Sequence, residues 1–286
     1  GRLRCSYVVG GTDTGRLASR ESILGSGTNL QNVPHGIARR LLIPAPDTVF
    51  VEADLSQAEA RIVAYLAEDE RLIDLFTRGG FDVHRENAGA LFHEGDSSAA
   101  TPEERTVAKK LVHAANYGMG AVGFQETLRK DAKLEVTRGE ADRFLKLYHT
   151  RFPKVRMWHR TVEDTLRKTR QLRTPLGWTR RFFGRWNDEL LRDAYAFVPQ
   201  STVACTLNRG LIDLYHWLPA IHPEARLALT VHDSVVLECP PDFMELVVEA
   251  IVSCLERPIV INDRVCTIPC EVKYGPNWQD LSPWTP

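Results

Sequence analysis

Two apolar, strand-like runs about 180 positions apart each stop on an aspartate: Val51-Glu52-Ala53-Asp54-Leu55 and Leu229-Thr230-Val231-His232-Asp233. If the two strands lie side by side, their ends bring together two carboxylates from distant parts of the chain. Mg²⁺ keeps several of its waters and needs only one or two carboxylates plus substrate phosphate oxygens. A pair of aspartates is therefore enough for two ions about 3.5–4 Å apart. Taken singly, each acid has a plainer reading: Asp233 as a hairpin-turn residue, Asp54 as part of a helix start, and Glu59 as the third position of a capping box with Ser56.

The composition narrows the function classes. With 286 residues, 43% hydrophobic and 26% charged, the chain is long enough for one large or two medium cores. Lys+Arg 36 against Asp+Glu 37 leaves a formal net charge of -1, which excludes a uniformly basic nucleic-acid coat and restricts any such contact to a local basic face. No window approaches the ~18 apolar residues of a membrane span, and Gly1-Arg2-Leu3-Arg4-Cys5 lacks the apolar core of a signal peptide, so a cytoplasmic protein without membrane contact is expected. The six cysteines are scattered. Cys266 and Cys270 form the only close pair and have no His/Cys cluster beside them, which speaks for free thiols over a zinc site. The opening, which enters a Ser/Tyr/Val/Gly-rich segment directly, reads as that of a fragment or processed piece.

Periodicity and punctuation give the organisation. Residues 1–34 read as extended chain and loop, with one strand over 6–9. A strand over 48–53 runs into Asp54, and a helix over 56–66 follows, opened by Ser56 and Glu59, so that Asp54 falls at a strand-to-helix junction. From 70 to about 148 the pattern is helical, broken at Gly79-Gly80, over 94–98 and over 117–120. Phe152-Pro153 opens a further helix with Val155, Trp158, Val162 and Leu166 on one face, residues 174–178 make a hairpin turn between basic arms, and 188–218 is helical again. Strands over 226–231 and 235–238 meet at His232-Asp233-Ser234, and a helix over 242–255 and a strand over 266–273 close the chain. The pattern predicts an α+β fold, a small antiparallel sheet interrupted by a long helical insertion.

That insertion carries Arg105, Lys109, His113 and Tyr117 at spacings of four. On a helix they form a slowly drifting stripe about 18 Å long. Two cations, an imidazole and an aromatic ring in that order match the phosphates, sugar and base of a nucleoside triphosphate. The bland alternative is a solvated basic face ending at a Gly118 cap. The aligned aromatic ring and the Gly118-Met119-Gly120 sequence favour binding.

Taken together, these segments resemble the motifs of family A DNA polymerases, the DNA polymerase I type. Asp54-Leu55-Ser56-Gln57-Ala58-Glu59-Ala60-Arg61 looks like motif A, Arg105 through Lys109 to Tyr117-Gly118 like motif B, and Val231-His232-Asp233 like motif C. Thr14-Gly15-Arg16-Leu17-Ala18-Ser19 leading to Asn29-Leu30-Gln31-Asn32, and Phe81-Asp82-Val83-His84, agree in order and approximate separation over nearly the whole chain.

The resemblance implies an antiparallel palm sheet interrupted by helical fingers: palm over 1–67, fingers over 68–187 that close on a correct pair, and palm again over 188–286. It implies a DNA-directed DNA polymerase acting on primer-template DNA and deoxynucleoside triphosphates, with two Mg²⁺ ions, or Mn²⁺, and release of pyrophosphate. Asp54 and Asp233 would hold the metals with the carbonyl of Leu55. Arg105, Lys109 and His84 would hold the triphosphate, with Lys109 also protonating the departing pyrophosphate. Tyr117 would stack near the nascent pair, His113 and Gln57 would lie near the incoming nucleotide, and Glu59 would be the steric gate against ribonucleotides. Arg16, Asn29, Gln31, Arg192, Gln200 and His232 would contact the primer terminus or the duplex minor groove. Another polypeptide segment or subunit would supply the thumb, and neither thumb nor exonuclease is expected in this chain.

The departures from the family pattern are His113 where Phe or Tyr is usual, Ser234 where an acid follows the motif C aspartate, Ala196 in place of an asparagine, and a longer loop over 19–29. They suggest a divergent branch, with a viral origin, and hence a host cytoplasm, as one reading. A reverse transcriptase on the same scaffold and a non-catalytic nucleic-acid-binding subunit remain the alternatives.

Overall fold

Apolar and polar residues alternate over 51–55 after an apolar start at Val49 and Phe50, and the strand Val49–Leu55 lies at the centre of a five-stranded antiparallel sheet. A computed structural model describes residues 2–78 and 82–285. Gly79, Gly80 and Phe81, on which an expected helix break and one motif residue fall, lie outside the described residues. The strand order is Ser282–Pro283, Cys270–Gly275, Val49–Leu55, Ser234–Cys239, Arg226–Val231. Val51, Ala53 and Leu55 are buried on one face. On the other, Phe50 joins Val231, Val236 and Trp278 in an apolar cluster, and the strand then turns polar through Glu52 to an exposed Asp54. The helix Met244–Leu255 packs on the two strands Val49–Leu55 and Cys270–Gly275 through an apolar row that includes Val247, Ile251 and Cys254.

The chain divides into two compact units. The first comprises Gly1–Ala58, Gln200–Val260 and Val265–Pro286, and the second Glu59–Pro199 with Ile261–Arg264. Two changeovers fall inside the helices Ala58–Leu66 and Asp188–Ile221 and two inside the short strands Ile259–Ile261 and Arg264–Cys266; the palm and fingers boundaries expected from the sequence stand at 67/68 and 187/188. The first unit holds the sheet. The second holds the helices Glu70–Thr77, Val83–Phe92, Pro102–Asn116, Ala121–Asp131, Arg138–Arg151 and Pro153–Thr169, and the basic hairpin Gln171–Arg173 with Thr179–Arg181.

The expected α+β fold is present, and several local expectations are corrected. The first sheet strand includes Asp54 and continues to Leu55, so the helix starts only at Ala58, after Gln57 at φ 50. The Ser56–Glu59 capping box does not form. Ser56 lies two residues ahead of the helix, pinned to the neighbouring strand: its amide donates to Pro269 O (2.9 Å) and its hydroxyl to Glu271 Oε1 (2.6 Å). Capping boxes occur instead at Thr101/Glu104 and Thr137/Glu140. The second of these opens a helix after a break at 132–137 that the continuous helical pattern hid. The single strand expected over 266–273 is two: Arg264–Cys266 returns on Ile259–Ile261 through an Asn262-Asp263 turn with both residues at positive φ, and Cys270–Gly275 joins the main sheet after Pro269. Near the start, Ser6–Val8 gains an unexpected partner strand, Ala18–Arg20.

Leu237, fully buried on the central sheet and opposite Val51 in register, is the most direct test of this core. Leu237→Ala should lower the unfolding free energy by about 2–5 kcal/mol in urea titrations, with the m-value unchanged.

Candidate functional site

In the first unit, strand register brings the two aspartates together. Val49–Leu55 runs antiparallel to Ser234–Cys239 with Asp54 opposite Ser234, and the Leu55 amide donates to the Asp233 carbonyl at 3.2 Å. Asp233 is thus the last turn residue before the strand that pairs with Asp54. The turn is held from inside. The Ser234 hydroxyl donates to Val231 O (3.0 Å), the Thr230 hydroxyl donates to Ser234 O (3.0 Å), and His232 sits exposed at φ 53. Ser234, a departure from the family's acid, is therefore a buried hydroxyl donor to the turn's own backbone.

The electrostatics at this sheet end are strongly one-sided. Glu271 faces Asp54 in register from the other neighbouring strand, and Glu52 lies two residues back. Protein packed around the Asp54 carboxyl, although part of its side chain meets solvent, and then the negative charges of Asp233, Glu271 and Glu52 push its pKa up to about 7; Lys273 opposes them. Asp233 accepts from Arg16 Nη2 at 2.9 Å, Glu271 from Ser56, and Glu52 from Trp278 Nε1 at 3.1 Å. Two carboxylates and a strand-end carbonyl are an all-oxygen, hard donor set. They suit Mg²⁺ or Mn²⁺ completed by water and substrate. Among the described residues no group of three or more His, Cys, Asp or Glu forms a complete protein cage. Burial first, and then the surrounding carboxylates, disfavour the ionised form of Asp54, and a cation at this sheet end would offset the second of these causes. The residues present therefore fit such ions.

Of the residues expected on the duplex, two make hydrogen bonds within the chain. Gln31 ties its loop to two strands: Oε1 accepts from Ser19 N (2.9 Å), and Nε2 donates to Leu17 O (2.9 Å) and Thr230 O (3.2 Å). Asn29 caps the single turn Leu30–Asn32 by accepting from Gln31 N at 3.0 Å. Arg16 lies on Asp233, and Gln200 is half-buried in the first unit. Arg192 is exposed, in the second unit. Gln57 keeps a buried Oε1 without a partner. Sequence reasoning missed Glu52, Glu271 and Lys273, whose signal was the strand alternation that aims them at Asp54. It also missed Tyr7, whose hydroxyl donates to Thr230 O and accepts from Thr230 N, both at 2.9 Å.

In the second unit, Pro102–Asn116 places Arg105, Lys109 and His113 on its accessible side, with Val107, Ala108, Leu111 and Val112 buried opposite. Asp82 organises one end of this row. One carboxylate oxygen accepts from the amides of His84 and Arg85, capping the helix Val83–Phe92, and the other accepts from Arg105 Nε. Burial alone would raise the Asp82 carboxyl; the Arg105 bond and the capping amides outweigh it and hold it below the usual range. The outer edge of the Arg105 guanidinium stays directed away from that bond, a fork suited to phosphate oxygens. His84 is buried, with Nδ1 unpartnered, and burial, reinforced by Arg105 and Lys109 against the pull of Asp82, drives it down to about 4. It is a neutral imidazole at physiological pH. Lys109 is exposed.

Tyr117 is the residue at the helix end, buried, with its ring edge-on to His113 at 4.7 Å. Its hydroxyl donates to Glu59, which is therefore engaged across the unit and is not the helix cap that its spacing suggested. Gly118 follows at φ 68. An added Cβ there would stand 2.7 Å from the Tyr195 ring, so both backbone and space require glycine.

The profile of DNA polymerase family A matches residues 1–280. DNA polymerase I of Caldicellulosiruptor bescii is 30% identical over 298 residues, covering 98% of this chain and 32% of the relative. The thermostable DNA polymerase I of Thermus filiformis is 32% identical over 294 residues, covering 96% and 32%. Among solved structures, the POL domain of Pol1 from M. smegmatis, in complex with DNA primer-template and dNTP, superposes with a TM-score of 0.84 at 26% identity, over 98% of this chain and 48% of that one. The chain spans about a third of the length of these curated relatives. Among the described residues no helix is long and apolar enough to cross a membrane.

The raised Asp54 pKa sets a pH test. Its folded value of about 7 stands above the usual unfolded value near 4, so the fold disfavours the ionised form, and this contribution to stability is lost as pH rises from about 4 through about 7. Without divalent cations, Asp54→Asn should match wild type below about pH 4 and gain on it in melting temperature up to about pH 8. Millimolar Mg²⁺ should close the gap. A difference that stays flat over this window would refute the electrostatic assignment.

Proposed function

The chain belongs to DNA polymerase family A, and from that membership we propose that it is a template-directed DNA polymerase, adding deoxynucleotides to a primer 3′-hydroxyl with release of pyrophosphate. The observation that carries the reading is the carboxylate pair: Asp54 and Asp233, brought together by register, in surroundings that push the Asp54 pKa up to about 7. The primer-template and dNTP bound by the M. smegmatis domain support the choice of substrates.

Asp54 and Asp233, with the Leu55 carbonyl, would hold two divalent cations. When bound, these lower the pKa of the attacking hydroxyl and take up charge on the leaving phosphates. What remains for the protein is positioning and electrostatics. Arg105, aimed through its Nε by Asp82, would fork onto the triphosphate. Neutral His84 would donate a hydrogen bond there without adding charge, and Lys109 would add a cation and a proton for the departing pyrophosphate. The Tyr117 ring would meet the nascent pair, with His113 beside it on the sugar side. Glu59, held by the Tyr117 hydroxyl, would stand against a ribose 2′-hydroxyl. Arg16, Arg192, Gln200 and His232 would meet the primer or minor groove and read duplex shape, since base pairing supplies the sequence information. Gln31 and Asn29 would act by shaping the loop that carries Arg16.

One-nucleotide extension of a labelled primer-template tests the reading. Asp54→Asn and Asp233→Asn should each lower incorporation by roughly 10²-fold or more with the fold intact; undiminished incorporation would sink the metal assignment. Glu59→Ala should raise ribonucleotide use relative to deoxynucleotide use by roughly tenfold or more. An unchanged ratio would overturn the gate assignment.

A further inference from the structure

The C-terminal end of the Pro102–Asn116 helix is held by a side-chain lock that the functional reading does not use. Three carbonyls of its last turn are satisfied by the backbone: Tyr117 N donates to His113 O (3.2 Å), Gly118 N to Ala115 O (3.3 Å) and Met119 N to Ala114 O (2.8 Å). The last two are the paired bonds of a Schellman motif closed by Gly118. The motif leaves the carbonyl of Asn116, a residue that is 2% exposed, without a backbone partner.

His159, from the helix Pro153–Thr169, takes that carbonyl with Nε2 at 2.8 Å. A carbonyl only accepts, so the proton sits on Nε2, and the Nδ1 lone pair is left buried and unpartnered. A ring nitrogen sacrificed in this way marks the other bond as the reason for the histidine. The Asn116 side chain is held as well, its Oδ1 accepting from the Tyr148 hydroxyl at 2.8 Å. The His159 ring stacks on Tyr195 at 4.1 Å and 26°, Tyr195 donates to Glu163 Oε1 at 2.7 Å, and the same Tyr195 ring fills the space beside Gly118. Asn116 and Gly118, the two neighbours of Tyr117, are thus fixed from both sides.

We infer that His159 and Tyr148 are positioning residues: through Asn116 they set where the helix ends and therefore where Tyr117 presents its ring. Burial keeps His159 neutral, driven down to about 4 with Arg156 adding to the effect, so the donor persists across the working pH range. The kinetic part of this inference rests on the polymerase reading; the structural part does not.

Two readouts on the full chain test it. In hydrogen exchange, the amides of Tyr117, Gly118 and Met119 should open roughly tenfold more often in His159→Phe, which keeps the ring stack and loses the donor, and in Tyr148→Phe. His159→Gln, which restores an amide donor of similar reach, should return them toward wild type. In extension assays the two Phe variants should raise the KM for the correct deoxynucleotide several-fold with a smaller change in kcat, and His159→Gln should recover it. Unchanged exchange at 117–119 would overturn the lock, and faster exchange with wild-type KM would overturn the positioning role. A wild-type chain that extends no primer would sink the polymerase reading instead, and the exchange contrast would still decide the lock.

Discussion

The pairing of Val49–Leu55 with Ser234–Cys239 is the constraint on which the rest of the structure depends. Side chains alternate faces along a strand, so a slip of one residue would turn Val51, Ala53 and Leu55 outward and Asp54 into the core. The apolar set therefore fixes the register, and the register places Asp54 beside Asp233. Packing and chemistry are set by the same ladder. The sheet tolerates a crowd of Asp54, Asp233, Glu271 and Glu52 at one end because the buried residues behind it hold the backbone against their mutual repulsion.

The second unit solves a complementary problem with opposite charge. Its cations stand in a row on one helix, and Asp82 prevents the nearest of them from wandering. It does so with one carboxylate that caps Val83–Phe92 and grips Arg105 at once. The grip uses only Nε, so the guanidinium is oriented without its outer edge being consumed. His84 gains its character from burial, which strips its charge and leaves a hydrogen-bonding group. The accessible side of Pro102–Asn116 thus carries a guanidinium and an ammonium, and a neutral imidazole lies buried on Val83–Phe92.

Much of this was legible in the residues. Period-2 runs gave the sheet strands around Asp54 and Asp233, and the four-residue spacing of Arg105, Lys109 and His113 gave the helix face. What escaped depends on contacts between distant segments. Ser56 and Glu59 have the spacing of a capping box, yet Glu271 and Tyr117, which are remote in sequence, claim them. The box that does form at Thr137 was hidden because residues 132–137 interrupt a pattern that stays helical on either side. The sequence does not reveal that Gln31 bonds to Ser19, Leu17 and Thr230, or that Asn29 Oδ1 caps the turn that follows it. Glu271 and Lys273 were unreadable as site residues until the strand order placed them beside Asp54.

The separation of the paired strands also bears on how the chain is made. Gln31 and Tyr7 bond to Thr230 across 199 and 223 positions, and the central ladder joins residues almost as far apart. Emerging from the ribosome, the early strand has no partner until most of the polypeptide has been synthesised, whereas nearly all of the second unit is one continuous stretch over 59–199. The stretch 59–199 can close its own contacts before Ser234–Cys239 has been made, and the acidic strand is synthesised about 180 positions ahead of its partner. Charge on a strand that lacks its partner disfavours pairing with a neighbouring copy, and Glu52 and Asp54 supply that charge to a strand that is otherwise apolar.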